Sequence, residues 1–140
     1  MSVKFFLDTN IFIYSLEETA AAKTGRAREL IARALSTRQG LVSYQVVQEF
    51  FNVALRRFEN PMQSGEAEQF LTTVFRPLLV VPFSLALCTE ALRVFHRYRF
   101  PWYDSLIVAG ALQAHCGILY TEDFQHGQKF ENLEIRNPFL

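Results

Sequence analysis

The sequence predicts an α/β fold with a short, mainly parallel central sheet flanked by helices, and three observations predict it. Short apolar runs recur along the chain, at Val3–Leu7, Leu78–Val81 and Ile118–Tyr120. Longer stretches with helical spacing of their apolar residues separate them. The first run stops abruptly at a carboxylate, Asp8, as suits a strand buried on both faces. Brief strands alternating with helices are the pattern of parallel α/β sheets.

Each element follows from local sequence. Val3–Leu7 forms the first strand, and Asn10–Leu16 can begin a helix. Lys23–Leu35 is rich in helix formers, with Leu30, Ile31 and Leu35 on one side and Arg26, Glu29 and Arg33 open to water. Gly40 punctuates, Leu41–Val42 is a minimal second strand, and Ser43 caps a helix that runs to about Phe58. Asn60–Pro61 stops that helix, and Glu66–Phe75 forms another. Leu78–Val81 is the third strand, ended by Pro82; Ser84–Tyr98 is helical. Pro101 separates it from a strongly apolar helix, Ser105–Ala114. Gly117 leads into the fourth strand, Ile118–Tyr120, and Glu134–Arg136 is expected as a short edge strand.

The 140 residues, 50% of them hydrophobic, suffice for one core, and no repeat, linker or low-complexity stretch divides them. A single domain over residues 1–140 is expected. Fourteen basic residues balance fourteen acidic ones, so binding of nucleic acid through global positive charge is not supported, although a local patch on a neutral chain can serve. A near-neutral chain with 14 Phe also favours a protein partner or self-association. Cys88 and Cys116 lie in apolar helical stretches without any Cys-x-x-Cys or Cys/His cluster, which points away from zinc and disulfides and toward buried thiols in a reducing cytoplasm. Asp8 arrives before any signal-peptide core can form. No apolar run approaches the ~20 residues that cross a membrane, so a cytoplasmic protein without membrane association is expected.

Carboxylates carry the chemistry. In parallel α/β sheets, ligands collect outside the carboxyl ends of the strands. Asp8 closes the first strand and Asp123 lies just past the fourth. One such acid is often only a helix cap; a pair at two strand ends is harder to dismiss. Asn10 can add a polar oxygen at the same edge or cap the next helix. Glu49 falls off the apolar stripe of Val46, Val47, Phe50, Phe51, Ala54 and Phe58, sharing a side with Asn52 and Arg56. That side is either a solvated face or the wall of a polar groove, and periodicity does not choose. Asp104 stands at the mouth of a helix apolar on all sides, where the helix dipole favours a carboxylate as a cap and also holds it in place.

If these acids converge, they repel one another, and a hard divalent cation relieves the repulsion. Mg2+ and Mn2+ prefer oxygen ligands, and an ion in such a cluster binds phosphodiesters and acidifies water. Phosphodiester hydrolysis follows from convergence, and convergence is what the sequence leaves open.

Four segments resemble the PIN-domain family. "VKFFLDTN" (Val3–Asn10) resembles its opening strand, "SYQVVQEFFNV" (Ser43–Val53) the helix with its second acid, "FPWYDSLIVAGAL" (Phe100–Leu112) the segment with its third, and "ILYTEDFQHGQ" (Ile118–Gln128) the segment with its fourth. Asp-Thr-Asn alone is weak; the four segments in order are specific, and they span essentially the whole chain. The match is most similar to VapC-like toxins. The resemblance implies a doubly wound α/β/α sandwich and a Mg2+- or Mn2+-dependent endoribonuclease. It further implies frequent homodimers and a VapB-like antitoxin whose C-terminal segment blocks the active-site groove. Asp8, Glu49, Asp104 and Asp123 match the acidic set, and Asn10 the assisting polar position. Glu122 is a second acid beside Asp123, and the Thr-x-Asp pattern favours Asp123 as the one facing the metal.

Other residues invite weaker assignments. His96, Arg97 and Arg99 can contact phosphate or form an ordinary solvated helix end. His126 can touch RNA or an antitoxin, or serve its own loop; Phe100, Trp102 and Tyr103 can stack on bases or pack at a helix entrance. A receiver domain would also place acids and Mg2+ at strand ends, but it needs an acid after the third strand, where this chain has Val80-Val81-Pro82. A PIN scaffold that binds RNA or protein without cutting would show an incomplete acidic set, and this set is complete.

Overall fold

The computed structural model describes residues 3–17 and 20–140; Met1, Ser2, Glu18 and Thr19 lie outside them. The chain runs β1 (Phe5–Leu7), α1 (Thr9–Leu16), α2 (Ala21–Thr37), β2 (Gly40–Ser43), α3 (Tyr44–Ala54), α4 (Ser64–Phe70), a π-helical turn (Leu71–Phe75) and α5 (Arg76–Leu78). It continues through β3 (Leu79–Val81), α6 (Leu85–Tyr98), α7 (Trp102–Gln113), β4 (Ile118–Tyr120), β5 (Lys129–Phe130) and β6 (Leu133–Arg136). Among the described residues the strands form one sheet in the order β3-β2-β1-β4-β6-β5. All its pairings are parallel except β5 with β6.

The register assigns the two faces. Phe5 pairs with Ile118 and Leu7 with Tyr120, so these side chains share one face. Arg33 of α2 lies over the Phe5 and Tyr120 rings, which places α2 on that face. Phe6 points the other way, toward Gly110 of α7. Every residue of α7 from Ser105 to Ala111 is buried, the expected fate of a helix without a polar side. The chain therefore covers one face while it lays down β1, β2 and β3, and the other before returning with β4. Strand order reverses between β1 and β4, and in doubly wound sheets that crevice is where ligands bind.

Several boundaries differ from expectation, each for a local reason. The helix expected to reach Phe58 ends at Ala54, whose carbonyl accepts from Met62 N at 2.9 Å as the chain turns back. The helix expected over 66–75 is regular only to Phe70. A π-helical turn then carries the chain to Pro77, which has no N–H to bond to the preceding turn and crowds its carbonyl. α7 begins at Trp102, immediately after Pro101, whose backbone φ of −52° already suits a helix start. Glu134–Arg136 belongs to a strand inside the sheet, because Lys129–Phe130 pairs on its outer side and takes the edge.

The helices cover the two faces unequally. On the side of Phe6, the strand residues Leu119, Leu133 and Ile135 are fully buried. On the side of α2, Ile118 and Glu134 are half-buried and Arg136 is exposed, so the outer strands lie partly open there. The core is aromatic: Phe50 meets the rings of Phe51, Phe58, Phe70 and Phe75, so Phe50 packs inside rather than on a surface. Cys116 is buried and Cys88 half-buried, both as free thiols. No helix among the described residues is long and apolar enough to cross a membrane.

Candidate active site

Asp8 leaves the end of β1 as the N-cap of α1, with Oδ1 accepting from Thr9 N at 2.7 Å. Its other oxygen accepts from Thr121 Oγ1 at 2.8 Å, just beyond β4. Thr121 Oγ1 in turn accepts from Asp123 N at 3.1 Å. On the opposite side, Thr9 Oγ1 donates to Glu49 Oε1 at 2.7 Å. Gln45, one turn before Glu49 on α3, donates its amide to Glu49 Oε2 at 3.3 Å and to the Tyr103 carbonyl at 3.0 Å. One continuous polar chain thus ties together the segments bearing Asp8, Glu49, Asp123 and the neighbour of Asp104. Asp104 lies in the first turn of α7, three residues past the Pro101 cap position rather than at it.

The electrostatics agree with this proximity. Burial pushes the Asp8 carboxyl up to about 7, against the hydrogen bonds from Thr121 and Thr9 that favour its charge; Asp123 and Glu49 push it further up. Asp104 is raised by burial and then by Glu49. Asp123 is raised by burial, then by Asp104, Glu122 and Glu49. Every charge acting on these three acids is another carboxylate. The carboxylates of Asp104 and Asp123 take no hydrogen bond from any described residue.

Glu122 is differently placed. It accepts a hydrogen bond from the Tyr14 hydroxyl and pairs with Lys23 Nζ at 3.0 Å, so it already has its cation. Asn10 sits in the first turn of α1, and its Oδ1 is the buried side-chain oxygen among the described residues that has no hydrogen-bond partner. Such an orphan acceptor in a protein interior calls for an occupant.

The donors suit a hard cation: carboxylate oxygens, one unpaired amide oxygen and unbalanced negative charge. Among the described residues, no three acidic, histidine or cysteine side chains form a group that could hold an ion by themselves. Water or substrate oxygens would have to complete the shell, which is how Mg2+ is usually held in proteins. Asp8 and Asp123 could hold such an ion, with Asp104, Glu49 and Asn10 around it.

The remaining sequence assignments divide. Arg97 lies over the Tyr98 ring at 5.3 Å, and Arg99 ends α6 in the left-handed conformation with φ 60°. Neither acts on the raised acids. The His96 ring packs against Phe95. His126 Nδ1 accepts from Asn137 N at 2.9 Å and so fastens its loop to the C-terminal segment. Phe100 packs with Tyr98, Phe124 and Phe130, whereas Tyr103, next to Asp104, is 66% exposed and free to stack. Sequence reasoning missed Thr9, Thr121 and Gln45, which position the acids. Their signals were a hydroxyl residue beside an acid in Asp-Thr-Asn and Thr-Glu-Asp, and a Gln one helical turn before Glu49.

Three solved structures show the same fold. A toxin–antitoxin complex from Klebsiella pneumoniae matches with a TM-score of 0.65 and 17% identity, over 96% of this chain and 98% of that one. FitAcB from Neisseria gonorrhoeae matches with a TM-score of 0.69 and 18% identity, over 96% and 98%. A VapC toxin from Mycobacterium tuberculosis that cleaves the sarcin–ricin loop matches with a TM-score of 0.63 and 19% identity, over 86% and 90%. No curated protein matches the chain in sequence at a significant level. The family model of the PIN domain matches residues 5–129, nearly the full run from β1 to β5, and the chain belongs to the PIN domain family.

Proposed function

We propose that this chain is a Mg2+- or Mn2+-dependent endoribonuclease and the toxin half of a VapBC-type toxin–antitoxin pair, with Asp8, Glu49, Asp104 and Asp123 as its acidic set. The observation that carries the reading is a group of carboxylates from distant segments that act on one another without a compensating cation, at the strand-order reversal of the sheet. A bound divalent ion would supply Lewis-acid stabilisation of the phosphodiester and acidify the attacking water. The protein's part is placement. Thr9 and Thr121 fix both oxygens of Asp8, while Thr9 and Gln45 fix both oxygens of Glu49. Asp104 and Asp123 keep their lone pairs available to ion, water or substrate.

Cleavage of a total RNA pool tests this reading. Wild-type protein with Mg2+ should cut, and EDTA should stop it. Asp8→Asn should lower the rate on the order of 100-fold or more, the scale for losing a catalytic group. Equal degradation in all three reactions would rule the mechanism out, and RNA bound but never cut would leave a PIN scaffold serving only as a binding module.

A VapB-like antitoxin belongs to the same proposal, and two kinds of observation support it. The Klebsiella neighbour is a toxin–antitoxin complex. An open apolar groove of about 280 Å3 between α1 and α2, lined by Leu16, Ile31, Leu35 and Phe70, offers a seat for an amphipathic helix. Self-association is proposed at the β3 edge of the sheet. Around the edge strand β3, Leu85 is 87% exposed, Val80 53% and Phe83 52%, more apolar surface than an unprotected edge usually carries. Leu85→Glu should convert a dimer to a monomer in light scattering without lowering the melting temperature. An unchanged mass would place the contact elsewhere or exclude it.

A further inference from the structure

The sheet face that α2 leaves open carries a cleft of about 250 Å3. Arg33 reaches into it from α2, with its guanidinium 5.0 Å from the Phe5 ring centre and 5.6 Å from that of Tyr120. Its Nη2 donates to the Tyr120 hydroxyl at 2.8 Å. Arg136, the register partner of Tyr120 on β6, brings a second guanidinium to the same phenol. The phenol oxygen accepts, and its own O–H finds no acceptor among the described residues.

Charge is out of balance here. Among the described strand residues on this face Glu134 is the one carboxylate, paired with Arg136 at 2.7 Å and also acted on by Lys129 and His126. Arg33 has no carboxylate partner among the described residues. Arg33, Arg136 and Lys129 therefore outnumber Glu134 in a chain whose net charge is zero. Two guanidinium groups and a free hydroxyl proton above an aromatic floor call for an anion with several acceptor oxygens, the chemistry of a phosphate group.

The cleft is linked to the acids through the end of β4. Tyr120 precedes Thr121, whose hydroxyl bonds Asp8, and Thr121 N donates to the Arg136 carbonyl at 3.0 Å. A polyanion is repelled by uncompensated carboxylates, so its retention needs positive charge close by. We infer that this cleft binds a backbone phosphate of the RNA strand, away from the linkage that is cut, and holds the strand across the sheet. The source of that phosphate rests on the nuclease reading above; the anion site itself does not.

Fluorescence anisotropy with a labelled single-stranded oligoribonucleotide in EDTA tests binding apart from cleavage. Arg33→Gln combined with Arg136→Gln should weaken binding about 10-fold near 0.1 M salt and lower the slope of log K against log salt by about 1–2, as expected for lost phosphate contacts. Exposed Arg136→Gln alone should give part of that loss with an unchanged melting curve, and Arg33→Lys should restore the salt slope of Arg33→Gln. Arg97→Gln should leave binding unchanged. Wild-type affinity and slope in the double variant, or a loss confined to Arg97→Gln, would overturn the inference. So would stabilisation by inorganic phosphate alone, lost in the double variant while RNA affinity stays intact, because the cleft would then serve a free anion. Wild-type protein that binds RNA through the cleft yet never cuts it would refute the nuclease and keep the cleft.

Discussion

Asp8→Asn is expected to lose cleavage and gain stability at the same time. The Asp8 carboxyl is displaced from 3.8 to about 7, chiefly by burial, which corresponds to about 4 kcal/mol between its two protonation states. Below about 4 the carboxyl is protonated in both the native and the unfolded chain, and its contribution is fully present. Between about 4 and about 7 the native chain keeps a proton that the unfolded chain has released, so stability falls as pH rises through this window and levels off above it. Asn carries no charge to desolvate. In EDTA at pH 8 the variant should melt several degrees above wild type, and from pH 5 to 8 the wild type should decline more steeply than the variant. Mg2+ should then raise the wild-type midpoint more at pH 8 than at pH 5 and leave the variant nearly unmoved. Parallel melting curves for the two proteins across that range, with and without Mg2+, would show that Asp8 carries no such burden. The acid proposed for the chemistry would also be a source of instability, a trade commonly made at functional sites.

Gly40→Ala should be the most damaging of the glycine-to-alanine changes in the chain. A Cβ at Gly40 would stand 2.1 Å from the Ala34 Cβ, 2.7 Å from the Ala34 Cα and 2.9 Å from Cε2 of Phe5. Two of these atoms belong to the body of α2, so no rotamer change relieves the contact. The close approach exists because Arg38 ends α2 in the left-handed conformation, φ 59°, and turns the chain directly into β2. Overpacking of a rigid contact costs 1–3 kcal/mol and sometimes more, and about 3 kcal/mol is expected here in urea denaturation. Ala34→Gly in the same chain should recover part of that loss, because it removes the atom nearest the added methyl. A Gly40→Ala protein as stable as wild type would mean that α2 is not seated on β2 this closely.

The fold was legible where patterning is dense. Phe5-Phe6-Leu7 ending at Asp8, and the unbroken apolar stretch after Asp104, announced a buried strand and a buried helix, and both are there. Boundaries failed where tertiary partners or proline chemistry decided them. Pro101 started α7 early, Pro77 forced a π-helical turn, and Lys129–Phe130, too short to carry a pattern, took the sheet edge from Glu134–Arg136. At the site, the acids were visible as residues but their mutual approach was not. Glu49 looked equally like a solvated face until Thr9 and Gln45 were seen to hold it. Among the basic residues, the charged helix end of Arg97 and Arg99 was obvious in the sequence, whereas Arg33 and Arg136 line one cleft only because the sheet brings them together, 103 positions apart in the numbering.

The position of β4 has a consequence for when the protein can act. β4 lies beside β1 in the middle of the sheet, yet it comes late in the chain, after α7. Until Ile118–Tyr120 has been made and slotted beside Phe5–Leu7, Thr121 cannot reach Asp8 and Asp123 has no place among the other acids. A chain in which β4 has not yet been made, or has come loose, therefore holds these carboxylates apart. On the proposed nuclease reading, the chain cannot cut the message from which it is being translated until β4 and the Thr121–Asp123 segment have been made and docked.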